Sequence, residues 1–466
     1  MTDTVTQDAG PAEAGPAGAP HLATGSFNDP YSPRLTAFMS EGWGALSDVP
    51  PPPAPPAARL AARRDLLRGK LPAPRPAVVP AGQAPRRTND TFYPFRAGSD
   101  YAWLTGDQTP GGVLILDPCS AAGDTLFAPP PTPRDNGEFY QDAANGELWV
   151  GARLTLEGRS AALGITCRPL AELPAALAAL GPALVLRGFD PAAEQQAAEP
   201  NLLGDLELAA VLSELRLVKD PWEIGQLRAA VDATTRGFCD VARLLLGGGD
   251  LTERHVEGAF SGRARADGNG NGYHPIAASG AHATTLHWNR NDGPLAGGEL
   301  LLLDAGVEMP SLYTADVTRT FPVSGRYTGL QRQVYEIVLA AQEAGFAELR
   351  PGADFKAYHR ASARVLAEGL EELGVLPVSA AESLQPDCGL HRRWTLCAPG
   401  HMMGLDVHDC ASAREARYLG GPLEAGQVLT VEPGLYFQAN DETIPPELRG
   451  IGVRIEDDLL ITPDGY

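Results

Sequence analysis

Four carboxylates and one histidine in the C-terminal half of the chain stand where such groups are costly. Asp304 ends the apolar run LLLLDAG, and Asp316 is flanked by Ala315 and Val317. Glu432 closes the apolar run of VLTVEPGLY, Glu456 lies in GVRIEDDLLIT, and His401 lies in PGHMMGLDVHD. A carboxylate in an apolar strand is expensive unless it is paired or ligates a metal. Any one of them could be a strand-end acid facing water or an arginine. Four acids and an imidazole in one domain point instead to a metal centre. The charge balances: four carboxylates offset two divalent cations, and carboxylates that bridge would hold the ions about 3.5–4 Å apart, the spacing used for hydrolysis. Oxygen-rich donors with one imidazole suit a hard ion, Mn²⁺, with Co²⁺, Zn²⁺ or Fe²⁺ as substitutes.

Other chemistries lack their signatures. The sequence contains no GxxxxGK[ST], no HExxH and no GxSxG, and the glycines at 268, 270 and 272 do not complete GxGxxG. The 466 residues carry 37 Lys and Arg against 58 Asp and Glu, a net charge of −21. That balance argues against nucleic acid or an anionic membrane surface as partner. Six cysteines without a CxxC pair form neither a disulfide framework nor a zinc ribbon. No apolar run is long enough to span a bilayer, and no Lys or Arg precedes Arg34, so the expectation is a cytoplasmic protein.

The elements that must position these groups fall into three segments. Residues 1–57 hold all 11 prolines found in the first 60 positions, including PPPPAPP at 50–56, and read as an extended or disordered arm. An apolar patch at Phe38, Met39 and Trp43 could dock it. Residues 58–215 alternate helical and strand patterns, an α/β domain, with LAARRDLLRGKL a helix and 99–106, 111–118 and 183–188 strands. A polar, Pro-rich loop is expected at 128–148. Asp220 as N-cap, Pro221 after it and Glu223 as its capping-box partner then open a long amphipathic helix. It begins a catalytic domain, 216–466, of α+β type: strands at 299–306 and 313–325, helices at 329–349 and 354–373, and strand-rich segments at 403–407, 427–437 and 450–461.

Taken in order, VKDPWEI, LHWNRND, LLLLDAG, YTADVTRTFPVSG, HMMGLDVHD, TVEPGLY and GVRIEDD resemble the Xaa-Pro aminopeptidases (aminopeptidase P) of the pita-bread metallopeptidase superfamily, from about Leu60 onward. The resemblance implies a creatinase-like N-terminal α/β domain on a pita-bread catalytic domain with pseudo-twofold symmetry. It implies a dinuclear exopeptidase that releases the residue before a proline at the second position, with a metal-bridging hydroxide as nucleophile. By the same resemblance Asp304 binds one ion, Asp316 and Glu456 bridge both, His401 ligates the second ion alone and Glu432 completes that ion's coordination, with Glu432 also the general base. His287 corresponds to a histidine near the substrate amine and His408 to one that stabilises the tetrahedral intermediate. Arg454 and Asp100 match substrate-side positions. The implied partners are a peptide with N-terminal Xaa-Pro and further copies of the chain, as a homodimer or homotetramer.

One position departs from the pattern. Cys397 stands where the family places a histidine four residues before the ligand histidine, and Pro399 stiffens the stretch. That position belongs to the proline-side pocket, so metal binding is expected to survive. Two other readings stand beside the aminopeptidase: a prolidase-type dipeptidase, with the arm and the 128–148 loop restricting peptide length, and a non-catalytic pita-bread binding protein.

Overall fold

The computed structural model describes residues 31–44, 49–71, 75–89, 91–118, 123–135, 137–142, 145–197, 200–396 and 398–466. They divide into two compact units. The smaller comprises residues up to 47 with 84–95 and 131–153, and the larger 48–83, 96–130 and 154–466. Much of the 1–57 arm, including residues 1–30, lies outside the described residues. In the smaller unit, Trp43 packs edge-on against Phe139, with centroids 5.0 Å apart, and Tyr31 tilts onto Tyr140. Phe38 stays exposed. The segment expected to be one loop carries two short helices, Glu138–Gln141 and Glu147–Val150, bridged by the Trp149 indole donating to the Tyr140 carbonyl.

The larger unit opens with the helix Ala57–Lys70 and a five-stranded mixed sheet. Its order is Thr166–Pro169, Thr125–Ala128, Val113–Leu116, Ala77–Pro80, Leu184–Val185. The central three strands are buried along their whole length, as expected of strands covered on both faces. Residues 99–105 are not the expected strand but a helix, Ser99–Thr105, bracketed by Gly98 and by Gly106 at φ 71°. Six of its seven residues are buried, so no period-3.6 pattern survives in the sequence to separate helix from strand.

The boundary signal at 220 corresponds to a complete capping box. The Asp220 carboxylate accepts from the Trp222 and Glu223 amides, and Glu223 accepts from the Asp220 amide, opening the helix Pro221–Gly247. It packs on Glu253–Asp267, and further along the chain Gly329–Phe346 packs on Lys356–Glu372. Between and beneath these helix pairs run the strands that carry the acids. Leu300–Ala305 pairs antiparallel with both Ile276–Ser279 and Val317–Pro322, and Val428–Val431 pairs antiparallel with Asp457–Leu460. Residues 403–407 are not a strand. Met402 alone bridges to Leu429, after which the chain loops back so that the Asp409 amide donates to the Met402 carbonyl. Among the described residues no helix is long and apolar enough to cross a membrane.

Candidate metal centre

Strand register brings the acids together. Asp304 lies opposite Thr318 in the Leu300–Ala305/Val317–Pro322 ladder, and Thr318 bridges in turn to Glu456. The two acids thus sit in one row, although 152 residues separate them in the chain (456 − 304). Asp316 precedes the same strand. Its amide donates to Asp458 Oδ2 at 3.1 Å, which fixes the turn into Val317–Pro322. His401 reaches the row because the 399–402 segment pairs onto Val428–Val431: Thr430 N donates to the His401 carbonyl and Glu432 N to that of Pro399. Gly306, next in the DAG motif, has no room for a side chain. A Cβ there would meet the Ala315 carbonyl.

These residues line one cavity of about 540 Å³. Asp304, Asp316, His401, Glu432 and Glu456 all face it, as do His287, His408 and Arg454. One ligand atom from each of Asp316, His401 and Glu456 lies within 4.8 Å of the other two. His401 Nδ1 is 3.1 Å from the Met402 carbonyl oxygen. With Nδ1 protonated to donate there, Nε2 faces Asp316 Oδ2 at 3.4 Å and Glu432 Oε1 at 3.3 Å. A lone pair aimed at two carboxylate oxygens is repulsive unless a proton or a cation lies between them.

The electrostatics say the same. Burial pushes the Glu432 carboxyl up to about 7 despite nearby His401, with Asp316 adding repulsion. Burial also raises Asp316 and Glu456, the latter well above the usual carboxylate range, with Asp316 and Glu432 repelling it. His401 is held up at about 9: burial lowers it, and the Asp316 hydrogen bond and the charge of Glu432 outweigh that. Glu456 Oε2 accepts from the Thr318 hydroxyl at 2.6 Å, while its buried Oε1 has no partner. An orphaned carboxylate oxygen among crowded acids is the environment a divalent cation relieves, and the donor set fits such ions.

Several residues that shape this centre carry no strong sequence signal. The Tyr273 hydroxyl lies 2.6 Å from Asp304 Oδ1 and 2.5 Å from Asp316 Oδ1. Tyr273 follows the glycine-rich 267–272 stretch, which reads only as a loop. Asp458 is the last acid of the IEDD run, and that run was the available hint. Arg454 lines the cavity, but its donors are occupied: Nη2 to Asp304 Oδ2 at 2.5 Å, Nε to Thr318 Oγ1 and Nη1 to the Tyr436 hydroxyl. Its charge compensates Asp304. The His408 ring stands edge-on to that of His401, centroids 4.3 Å apart, and burial, with the charges of His401 and His287, lowers its pKa. Asp100 does not line the cavity. It pairs with Arg216 at 2.9 Å, and Arg216 also binds Asp409 at 2.6 Å. Cys397 lies outside the described residues.

Comparison with known proteins accords with this geometry. Residues 225–463 match Metallopeptidase family M24, and residues 60–183 match the N-terminal domain of aminopeptidase P. The chain belongs to the M24 metallopeptidases, in the aminopeptidase P group, and is a metal-dependent hydrolase. It is 51% identical over 440 residues to Xaa-Pro aminopeptidase 1 of Streptomyces coelicolor, covering 93% of this chain and 88% of that one. Among solved structures it resembles aminopeptidase PepP of Pseudomonas aeruginosa (TM-score 0.77, 30% identity, 88% of this chain and 94% of that one). It equally resembles aminopeptidase P of Escherichia coli with the inhibitor Pro-Leu (TM-score 0.77, 29% identity, 89% and 94%).

Proposed function

We propose that this chain is an Xaa-Pro aminopeptidase, releasing the N-terminal residue from peptides with proline second. The observation that carries the reading is the convergence of Asp304, Asp316, His401, Glu432, Glu456, His287 and His408 on one cavity. The activity named for the relatives supports it. The five acid and imidazole groups would hold two divalent cations, Mn²⁺ by the oxygen-rich donor set. Such ions supply a water acidic enough to attack at neutral pH and polarise the scissile carbonyl.

The chain's own residues do the rest. Glu432, facing the cavity, is placed to take a proton from the attacking water and return it to the leaving prolyl nitrogen. His408, whose pKa is lowered, is neutral at pH 7 and so able to donate a hydrogen bond to the oxygen on which charge develops. His287 lines the same cavity and is assigned to the substrate's amino end. Arg454 and Tyr436 form a rigid wall behind Asp304, and Asp100 acts on the site through Arg216.

The test is a panel of Xaa-Pro-Yaa and Xaa-Ala-Yaa peptides with Xaa-Pro dipeptides, offered to protein stripped of metal and then reloaded with Mn²⁺. Cleavage before proline that depends on metal is expected. Cleavage of dipeptides alone would move the chain to the prolidases, and metal binding with no cleavage would make it a binding protein.

A further inference from the structure

A second cavity, of about 840 Å³, adjoins the catalytic one. Ala398 lines both, with Pro399 in the wall of one and Gly400 in that of the other, so the two meet along the stretch leading into His401. Its lining is basic in a chain whose net charge is −21. Lys356, Arg360 and Arg364 come from the helix Lys356–Glu372 and Arg392 from the turn Leu390–Arg393, and Glu348 is the one acid among its lining residues.

The sequence breaks local rules to make this wall. Lys356, Arg360 and Arg364 recur every four residues and therefore stack on one helix face, where like charges repel. Lys356 also opens the helix, at the positive end of its dipole, and no acid stands in that first turn. Such conflicts concentrate where function requires them. Two of the cations have partners: Arg360 with Asp354 at 2.6 Å and Lys356 with Glu415 at 3.7 Å. Arg364 and Arg392 are exposed and have no anionic partner among the described residues. A solvated basic helix face would explain the arginines alone, but not their place around a recess that shares the Ala398 wall with the reaction site.

We propose that this basic cavity binds a carboxylate on the departing part of the substrate, with Arg364 and Arg392 as its anchors. The inference rests on the aminopeptidase reading above. An enzyme that removes a single N-terminal residue has little to hold on the amino side, so a recess beside its cavity is suited to the segment beyond the proline. Arg is suited to a carboxylate because its fork can donate two parallel hydrogen bonds. From Lys356 to Arg364 the helix rises roughly 12 Å, so this wall of the cavity is as long as about four extended residues. The enzyme therefore favours Xaa-Pro peptides with an acid downstream of the proline, at a spacing that a peptide ladder reads out. That acid is either an Asp or Glu side chain or the free C-terminus.

The test uses full-length, metal-loaded enzyme. One ladder of amidated peptides begins Ala-Pro, continues with a growing run of alanines and ends in Glu; its counterpart ends in Gln. A third ladder, of alanine only, is compared as free acid and as amide. At one run length the wild type is expected to prefer Glu over Gln, or acid over amide, by roughly ten-fold in kcat/KM. Which ladder responds identifies the source of the carboxylate. The preference should fall to within about two-fold in Arg364→Glu/Arg392→Glu, and also in wild type as salt rises toward about 0.5 M. The salt arm needs no variant to fold. Equal rates at every length in wild type, or a preference that survives the double substitution, would overturn the inference alone. Failure to cleave any Ala-Pro peptide would overturn the aminopeptidase reading and this inference with it.

Discussion

His401 Nε2 stands 3.3 Å from Glu432 Oε1 and 3.4 Å from Asp316 Oδ2, one imidazole facing two carboxylates. In the absence of metal, His401 and Glu432 must hold protons that a cation would otherwise replace. The Glu432 carboxyl is raised to about 7 and the His401 imidazole to about 9, so the folded state binds protons more tightly than the unfolded chain at both sites. Stability from such groups is present at low pH and lost as pH rises. For Glu432 the loss falls between its unfolded value and about 7, and for His401 between its unfolded value and about 9. The metal-stripped protein should therefore melt at progressively lower temperature from mildly acidic pH toward 9. Added Mn²⁺ should restore the most at the alkaline end. Differential scanning fluorimetry across pH, with and without metal, checks this; a gap between the two curves that does not widen with pH would contradict it.

Tyr273→Phe should weaken the centre without removing any of its proposed ligands. The hydroxyl that touches both Asp304 and Asp316 would be lost, and with it a partner that orients them. Removing such supporting groups costs about 10- to 100-fold in metal affinity or activity. Metal titration followed by elemental analysis should place the loss in affinity, with the rate recovering at high Mn²⁺. Unchanged affinity would mean that the strands alone hold the two aspartates.

His408→Ala should leave metal content intact and lower kcat. The ring lies beside that of His401 and edge-on to it, within the same cavity. Loss of one donor to a developing oxyanion costs about 10²- to 10³-fold. Steady-state kinetics on one Xaa-Pro-Yaa peptide, with metal measured on the same sample, separates the two effects. Loss of metal along with rate would move His408 into the ligand set.

Arg216→Met should be among the more destabilising changes in the larger unit. Arg216 is 5% exposed and joins Asp100 to Asp409, the residue after His408. Without it, Asp100 loses its cation and Asp409 keeps only Lys219, at 3.3 Å. Breaking a buried pair from one side costs about 3–5 kcal/mol. Asp100→Asn, which keeps the shape and removes one charge, should cost less. Urea denaturation of the metal-loaded proteins measures both; a loss under about 1 kcal/mol for Arg216→Met would show the network to be well solvated.

Much of the candidate site was legible in the linear chain, for a physical reason. A carboxylate at the end of an apolar strand is anomalous wherever it occurs, so Asp304, Asp316, Glu432 and Glu456 stand out before any fold is known. The capping box at Asp220 is likewise local, written within four residues. What depends on partners far along the chain was not readable. The helix Ser99–Thr105 passes for a strand because burial on nearly every side erases its periodicity. The loop after Met402 resembles a strand until the Asp409 amide turns back to the Met402 carbonyl and sets His408 beside His401. Tyr273 becomes part of the centre only through the pairing of Leu300–Ala305 with Val317–Pro322, which fixes Asp304 near Asp316. The identities of the charged groups are thus a property of the sequence, because their cost is paid residue by residue. Their distances and the partners of Arg454 belong to the tertiary structure, because the pairing of Thr318 with both Asp304 and Glu456 sets them, and the Asp100–Arg216 pair likewise needs two helices far apart in the chain.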